Sequence, residues 1–269
     1  MTSSSISVIK SLQYHWAANY CKGQKVMYIG CGRGEVCNIL AEHADFVLGV
    51  DSSHANIELA LKSTMPANVE FKVIVDGVLP FEEASFDVII LPNQIELAYD
   101  PKEFLKKINR VLKPDGKLII STVNRLLRLY FWQKPYEEKH YQEYSPYSFK
   151  KLLSEYFKDV DLMGIHIVGS DSGDNQGGVQ AHKFKHGIMH PLSRFILKKI
   201  RTSLRFILPF GFFNNANSNA AVPLVKVEVD SFTNSSLQET LEKLLFVKDN
   251  IERCTDMLAI CCKSDSNAK

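Results

Sequence analysis

Short apolar runs alternate with amphipathic helical patterns from Lys25 to Thr122, and this alternation limits the possible folds more than any other feature. Apolar runs such as KVMYIG and FDVIILP predict strands that are buried on both faces, and segments such as PKEFLKKINRVL predict helices between the strands. Strands that alternate with helices form parallel sheets with helices on both sides. The sequence therefore predicts an α/β fold built on a doubly wound sheet.

The composition is that of an ordinary globular chain. It has 269 residues, of which 45% are hydrophobic and 23% charged, and a net charge of +2. Six cysteines without C-x-x-C spacing favour reduced thiols over a disulfide framework. The N-terminus has no signal-peptide pattern, and no apolar run reaches the roughly 18 residues that a membrane span needs. We therefore expect a soluble, cytoplasmic protein.

A glycine-rich turn follows the first predicted strand, in the stretch VMYIGCGRGEVCNIL. Gly30, Gly32 and Gly34 leave the backbone bare where the strand passes into a helix, which lets a nucleotide approach closely. The G-x-G-x-x-G pattern of dinucleotide sites would need glycine where Glu35 stands, and a carboxylate there opposes a pyrophosphate. The turn therefore favours a nucleoside-like ligand without phosphates. A glycine turn that binds nothing is the alternative.

Two acidic residues stand at the ends of the next two predicted strands. Asp51 is placed to accept hydrogen bonds from both hydroxyls of a ribose, and Asp76 from the amino group of an adenine. Taken alone, Asp51 could equally be the N-cap of the helix that follows it. Together, at successive strand ends around one glycine turn, the two carboxylates predict a site for an adenosine-type ligand.

These stretches resemble the class I S-adenosylmethionine-dependent methyltransferases over residues 22–125. The matching segments are VMYIGCGRG, VLGVDSS, VDGVLPFEEASFDVII and INRVLKPDGKLIISTVNR. The resemblance implies a seven-stranded, mostly parallel, Rossmann-like sheet with S-adenosylmethionine across the carboxyl ends of the strands. The cofactor-binding residues that it implies are Gly30, Cys31, Gly32, Gly34, Asp51, Ser52, Asp76, Gly77 and Asn93. The chain departs from the family at Tyr28, where an acidic residue near the cofactor's ammonium group is usual.

We predict one methyltransferase domain over residues 1–269, in five consecutive parts. These parts are an N-terminal helix (1–22), the cofactor-binding core (23–125), an acceptor-side lid with a helix and a strand (126–169), an insertion or cap (170–255) and the last strand (256–264).

The lid is similar to that of methyltransferases associated with bacterial glycan biosynthesis. The shared pattern consists of Pro135, Tyr136, His140, Glu143, Tyr144 and Ser145. A sugar hydroxyl is a weak nucleophile that needs a base, and the candidates for this catalytic role are His140 with Glu143. Glu96, Tyr136 and Tyr144 are the expected substrate-binding residues. A polar, non-catalytic role for His140 on the lid is the alternative.

A metal site is not expected in this chain. Ubiquinone-type O-methyltransferases place two acids and a histidine as metal ligands after the fourth strand. The corresponding stretch here is NQIELAYDP, in which Asn93 and Leu97 occupy two of those places and only Glu96 is kept.

The positive charge of this nearly neutral chain is concentrated in the predicted insertion. Residues 175–227 contain eight basic residues and no acidic one. Within them, the segment 192–208 has apolar residues at helical spacing and basic residues on the opposite face. Such a helix suits an anionic membrane surface, but packing of its apolar face on the core or in a homodimer is the favoured interpretation. Nucleic acid is not an expected partner, because the aromatic residues are not interleaved with the basic ones.

The sequence as a whole predicts an enzyme that transfers the methyl group of S-adenosylmethionine in line to a hydroxyl of a sugar or glycan intermediate. A lipid-like or quinone-like acceptor is the alternative, with the protein peripheral at the inner membrane surface. A catalytically silent protein that binds the cofactor or a partner is a further alternative, motivated by Tyr28.

Overall fold

The computed structural model describes most of the predicted core and parts of the segments after it. The described residues are 16–63, 66–75, 77–129, 134–135, 137–167, 224–225, 244–249, 251–254 and 256–263. The basic segment 192–208 lies outside these ranges, so its helix remains a prediction. Of the predicted N-terminal helix, residues 16–18 are described and helical.

One sheet of nine strands runs through the described residues. In chain order the strands are β1 (Lys25–Ile29), β2 (Phe46–Asp51), β3 (Val69–Val73), β4 (Phe86–Pro92), β5 (Leu112–Val123), β6 (Asp159–Ile167), β7 (Leu224–Val225), β8 (Leu244–Val247) and β9 (Asp256–Cys262). Their order across the sheet is β3-β2-β1-β4-β5-β9-β6-β8-β7. Strands β1 to β5 pair in parallel, and the remaining pairs are antiparallel. The predicted α/β class is confirmed.

The predicted number of seven strands is too low, because β7 and β8 extend the sheet beyond β6. Both lie in the predicted insertion, 170–255. Strand β8 pairs with Gly164–Ile167 of β6, so this part of β6 is not left as an unpaired edge. Trp16 packs on Phe246 of β8 with ring centroids 4.6 Å apart, so this side chain covers part of β8.

Most of the described helices begin at a residue whose side chain caps the first turn. The helices are α1 (Glu35–Ala41), α2 (His54–Lys62), α3 (Pro101–Val111), α4 (Arg125–Arg128) and α5 (Pro146–Ser154), with short 3₁₀ helices at Ile95–Leu97 and Ile251–Arg253. The Ser53 hydroxyl caps α2 and the Asp100 carboxylate caps α3. Ser145 and Pro146 begin α5 in a capping box, within the lid for which the sequence predicts a helix. None of the helices in the described ranges has the length and apolar composition to cross a bilayer.

Alternate side chains of the central strands enter two apolar layers, one on each face of the sheet. In β1, Met27 and Ile29 join the layer that contains α3 and α5, here the α3–α5 layer. Val26 and Tyr28 join the layer that contains α1 and α2, here the α1–α2 layer. All four side chains are at most 3% exposed. Burial on both faces explains why these strands are continuous apolar runs in the sequence.

Asn124 fixes the end of β5 to the segment that precedes β9, and its side chain is fully buried. Its Nδ2 group donates to three carbonyl oxygens at 2.8 to 3.3 Å, those of Ile251, Glu252 and Cys254. Its Oδ1 atom accepts the Leu126 N–H at 3.0 Å. The Asn124 side chain therefore provides hydrogen-bond partners for backbone groups of both segments.

We expect Asn124→Ala to lower the free energy of unfolding by about 2–3 kcal/mol, because several buried polar groups lose their partners. Denaturant unfolding measures this loss. The matched control is Asn109→Ala, because the Asn109 amide donates one hydrogen bond, to the Tyr156 carbonyl oxygen at 2.8 Å. The control should cost about 1 kcal/mol, and equal losses in the two variants would contradict the prediction.

Candidate functional site

The glycine turn between β1 and α1 has a backbone that favours glycine at three positions. Gly30, Gly32 and Gly34 have φ angles of 83°, 56° and 85°, in the left-handed region where a side chain is strained. The Gly30 N–H donates to the Val50 carbonyl oxygen at 2.7 Å, which holds the turn against β2. A Cβ atom on Gly32 would meet no atom within 4 Å, so the backbone there faces open space that a ligand can fill.

The Asp51 carboxylate, at the end of β2, joins the glycine turn to α2. Its Oδ2 atom accepts the Gly32 N–H at 2.8 Å. Its Oδ1 atom accepts the Ser53 N–H at 2.8 Å and the Asn56 side-chain amide at 3.3 Å. The N-cap of α2 is Ser53 rather than Asp51. Because each carboxylate oxygen accepts about two hydrogen bonds, Oδ2 has acceptor capacity beyond these contacts.

A cavity of about 560 Å³ opens at the carboxyl ends of β1 to β4. Its lining consists of Ile29, Gly30, Asp51, Ser52, Ile74, Gly77, Gln94, Leu97, Ala98, Tyr99, Asp100, Glu103, Phe104, Lys107 and Tyr141. The volume lies within the range of about 300–1,000 Å³ that is usual for cofactor and small-molecule sites. Open α/β sheets bind their ligands at these strand ends.

The lining includes Gly30, Asp51, Ser52 and Gly77, which the sequence analysis assigns to cofactor binding. Gly32 adjoins them through its hydrogen bond to Asp51. Gly34 forms the N-cap of α1 and completes the turn.

The other residues assigned to the cofactor lie in different surroundings. Cys31 is buried in the α1–α2 layer, and its hydrogen bond with the Cys37 thiol raises the pKa of Cys37. Asn93 has a positive φ of 47° and donates its N–H to the Ser121 carbonyl oxygen at 2.9 Å. Asp76 lies outside the described residues.

Gln94 lines the cavity although the sequence analysis does not single it out. A Cβ atom on Gly30 would lie 2.6 Å from Gln94 Nε2, so the Gln94 amide rests on the bare backbone of this glycine. The positive φ of Asn93 turns the chain after β4. The sequence feature that could have identified this residue is the pair of amides, Asn93 and Gln94, that follows β4. Their spacing does not tell which of the two enters the cavity.

Glu96, His140, Glu143 and Tyr144, all assigned to catalysis or substrate binding, come together in one polar cluster. The cavity itself is lined by their chain neighbours, such as Leu97 and Tyr141. Tyr136 lies outside the described residues. The acceptor-side residues thus share one location beside the cavity.

Both ring nitrogens of His140 face carboxylates. Nδ1 lies 3.0 Å from Glu143 Oε1, and Nε2 lies 3.1 Å from Glu137 Oε2. Arg128 pairs with the same two carboxylates. The Glu143 side chain is 0% exposed whereas that of Glu137 is 46% exposed, so solvent can replace the Glu137 contact more easily. Because a base needs one free ring nitrogen, base catalysis by His140 requires Nε2 to leave Glu137.

Burial perturbs two groups of this cluster. It raises the pKa of the Glu96 carboxyl, whose Oε2 atom accepts the Thr122 hydroxyl at 3.0 Å. The charge of Glu143 also raises the pKa of Glu96, and that of His140 lowers it. Burial likewise raises the pKa of the Tyr144 hydroxyl, and the nearby Glu96 adds to the effect. Tyr144 is therefore a neutral phenol at physiological pH.

Within the described ranges, no group of three or more His, Cys, Asp or Glu side chains is placed to hold a metal ion. Glu96, the acid that is kept from the metal-binding pattern, accepts the Thr122 hydroxyl.

Residues 27–120 match the protein-family profile described as "Methyltransferase domain". The ubiquinone biosynthesis O-methyltransferase of Coxiella burnetii is 32% identical over 113 residues, which are 41% of this chain and 48% of that protein. The chain thus spans about half the length of the curated relatives it matches.

Two solved structures are similar over almost the whole chain. The YcgJ protein from Bacillus subtilis has a TM-score of 0.52 at 17% identity, with coverage of 96% of this chain and 99% of that one. An S-adenosylmethionine-dependent methyltransferase from Mesorhizobium loti has a TM-score of 0.52 at 13% identity, with coverage of 94% and 96%. At these identities the similarity establishes the fold.

The cofactor expected for this chain is S-adenosylmethionine, and the described residues fit this group. The open backbone at Gly32 leaves space for a ligand, and the Asp51 carboxylate at the cavity wall can accept from a ribose diol.

We expect Asp51→Ala to weaken the affinity for S-adenosylhomocysteine about 10- to 100-fold, because a charged hydrogen-bond acceptor is lost from the cavity and from the glycine turn. Calorimetric titration measures this change. Asp45→Ala, at the exposed opposite end of β2, is the control and should bind as the wild type does. Unchanged affinity in the Asp51 variant would remove this carboxylate from the cofactor site.

Glu96 should make stability depend on pH. Its folded-state pKa lies above the ordinary value of about 4.3, so its contribution to stability is complete below that value and is lost as pH rises through the raised pKa. Glu96→Gln keeps an acceptor oxygen for Thr122 without the charge. We expect the free energy of unfolding of this variant to exceed that of the wild type increasingly as pH rises from about 4 through the raised pKa of Glu96.

Denaturant unfolding at several pH values measures this difference. Glu58→Gln, at an exposed position of α2, is the matched control and should show no such trend. A difference between Glu96→Gln and the wild type that does not vary with pH would contradict the prediction.

Proposed function

We propose that this chain is an S-adenosylmethionine-dependent O-methyltransferase whose acceptor is a hydroxylated aromatic ring of the phenol or quinol class. The observation that carries this acceptor class is a pair of tyrosines in the cavity lining, Tyr99 and Tyr141. Their rings meet edge to face, with centroids 5.5 Å apart. They are 85% and 63% exposed, which leaves most of their surface available for contact with a third ring.

The backbone at each tyrosine is fixed, at Tyr141 by a hydrogen bond and at Tyr99 by the adjacent start of a helix. The Tyr141 N–H donates to the Glu96 carbonyl oxygen at 2.8 Å. Tyr99 directly precedes Asp100, the N-cap of α3. An aromatic contact contributes about 0.5–1.5 kcal/mol beyond the area that it buries. A planar acceptor therefore gains affinity and orientation from this pair.

The ionisable groups of the lining also favour a phenolic acceptor. Among the described lining residues the acids and bases are Asp51, Asp100, Glu103 and Lys107, with no histidine. A phenol has a pKa of about 10, whereas an alkyl alcohol is about as weak an acid as water, with a pKa of about 15.7. A phenolic hydroxyl therefore needs less assistance from a general base.

The chain's part in the reaction is positioning. When bound, S-adenosylmethionine supplies an electrophilic methyl group on a sulfonium. Gly30, Gly32, Asp51, Ser52 and Gly77 would hold the cofactor. Tyr99 and Tyr141 would hold the acceptor ring, so that its hydroxyl oxygen points along the cavity toward the glycine turn.

The curated relative supports the same acceptor class. Its name places it in ubiquinone biosynthesis and describes an O-methyltransferase. Its similarity to this chain covers 113 residues, so the acceptor is argued here chiefly from the cavity.

A sugar or glycan hydroxyl, the acceptor that the sequence analysis favours, is the second candidate. The His140–Glu143 pair favours it, because a buried carboxylate 3.0 Å from Nδ1 orients the ring as a general base would require. Under this candidate His140→Ala abolishes transfer, whereas a phenolic acceptor should tolerate the change. A lipid-like acceptor, an anionic membrane surface and a homodimer remain predictions that rest on residues 192–208.

The test is transfer of a labelled methyl group to a methoxy-hydroquinone and, in parallel, to an extracted glycan fraction. We expect transfer to the hydroquinone, with Tyr99→Ala and Tyr141→Ala each raising KM for it by about 3- to 10-fold, in line with the loss of an aromatic contact. Their affinity for S-adenosylhomocysteine should stay unchanged. Transfer to the glycan alone would overturn the phenolic acceptor and favour the second candidate.

The matched control is Tyr147→Ala, because Tyr147 is 79% exposed on α5 and is not in the cavity lining. Its KM should equal that of the wild type. A similar rise in KM for all three variants would show that the effect does not come from the tyrosine pair.

A further inference from the structure

We infer that Gln94 binds the amino-acid end of the cofactor, with its side-chain amide oxygen accepting a hydrogen bond from the α-ammonium group. This role concerns the cofactor and is independent of which acceptor the enzyme uses.

The strand order gives the direction in which the cofactor lies. Along β3, β2, β1 and β4, the cavity residues at the strand ends are Gly77, Asp51, Gly30 and Gln94. Neighbouring strands are about 4.8 Å apart, so the cavity crosses roughly 14 Å from the first to the last of these positions. With a ribose on the Asp51 carboxylate, an extended ligand has its base at one end of this line and its amino acid at the other.

The base belongs at the β3 end. Ile74 and Phe104 line the cavity there, and a Cβ atom on Gly77 would lie 3.5 Å from the Phe104 ring. These apolar and aromatic neighbours suit a flat adenine. The sulfur and the amino acid of the cofactor therefore extend toward β1 and β4, where Gly30 and Gln94 lie.

The Gln94 amide is placed to meet this end of the ligand. Gln94 is the N-cap of the 3₁₀ helix Ile95–Leu97, but its side chain makes no cap hydrogen bond. The amide instead lies against Gly30 and lines the cavity. An amide oxygen can accept from an ammonium group, which has three donors and no acceptor.

The carboxylates of the lining are engaged elsewhere. Asp51 accepts from the glycine turn and from α2. Asp100 accepts two backbone N–H groups at the start of α3. Glu103, also on α3, pairs with Lys106. None of these carboxylates stands at the end of β1 or β4.

The position where the related enzymes carry an acid does not supply a carboxylate either. Tyr28 stands there, and its side chain is 2% exposed and belongs to the α1–α2 layer. Among the described lining residues, Gln94 is thus the polar side chain that lies against Gly30 at the end of β1. The chain recognises the ammonium group with a neutral amide in place of a carboxylate.

Two ligands separate this role from a general effect on the cavity. S-adenosylhomocysteine carries the amino-acid end, whereas 5′-methylthioadenosine has the same adenosine and sulfur without it. We expect Gln94→Ala to weaken calorimetric binding of S-adenosylhomocysteine about tenfold or more, because a hydrogen bond to a charged group is lost. Binding of 5′-methylthioadenosine should not change.

Gln94→Glu tests whether this side chain faces the positively charged ammonium group of the cofactor or its negatively charged carboxylate. A carboxylate at this position makes the hydrogen bond charge-assisted, and such bonds are about twice as strong as neutral ones. We expect this variant to bind S-adenosylhomocysteine several-fold more tightly than the wild type, with 5′-methylthioadenosine again unchanged. Gln24→Glu is the matched control, because it adds the same charge next to the opposite end of β1; it should bind both ligands as the wild type does.

Three results would overturn the inference. If Gln94→Ala weakens the binding of both ligands equally, the side chain only supports the turn at Gly30. Weaker S-adenosylhomocysteine binding by Gln94→Glu would mean that the amide donates to the cofactor's carboxylate. Unchanged binding of both ligands with a raised acceptor KM would place Gln94 on the acceptor side. Failure of the wild type to bind either ligand would instead overturn the cofactor assignment itself.

Discussion

The Asp51 carboxylate connects the two loops from which the cofactor site is built. It accepts the Gly32 N–H from the turn before α1, and the Ser53 N–H and Asn56 amide from the start of α2. Hydrogen bonds to charged groups contribute about 1.5–3 kcal/mol each, so this group fixes both loops relative to β2. The same carboxylate lines the cavity. One side chain therefore orders the glycine turn and, in the proposed site, also binds the ligand.

The central strands could be predicted because their sequence signal is local. The runs FVLGVD and FDVIILP predict β2 and β4, which the structure places at Phe46–Asp51 and Phe86–Pro92. A strand buried on both faces is apolar at its buried central positions, whatever lies beside it. The glycines and Asp51 could be predicted for a similar reason, because strand, turn and helix follow each other within a few residues.

The features that the sequence does not predict depend on distant contacts or on a single backbone angle. Strand β8 forms against β6, about eighty residues earlier in the chain, and β7 has only two residues, Leu224–Val225, which carry no periodic signal. The choice between Asn93 and Gln94 follows from the positive φ of Asn93, which is uncommon for residues other than glycine. The sequence shows two amide side chains after β4, but it does not show the backbone φ angle that directs one of them into the cavity.

The short segment after β4 brings the two halves of the proposed reaction together. Gln94, at its start, rests on Gly30, where the cofactor's amino-acid end is inferred to lie. Glu96, in its middle, accepts the Thr122 hydroxyl from β5 and the Tyr141 N–H from the lid. Tyr99 follows at the other end and contacts Tyr141. Because the 3₁₀ helix Ile95–Leu97 lies between Gln94 and Tyr99, one short segment carries both the proposed cofactor contact and the proposed acceptor contact. In-line methyl transfer tolerates little misplacement of the reacting atoms, so the proposed function depends on the conformation of this segment.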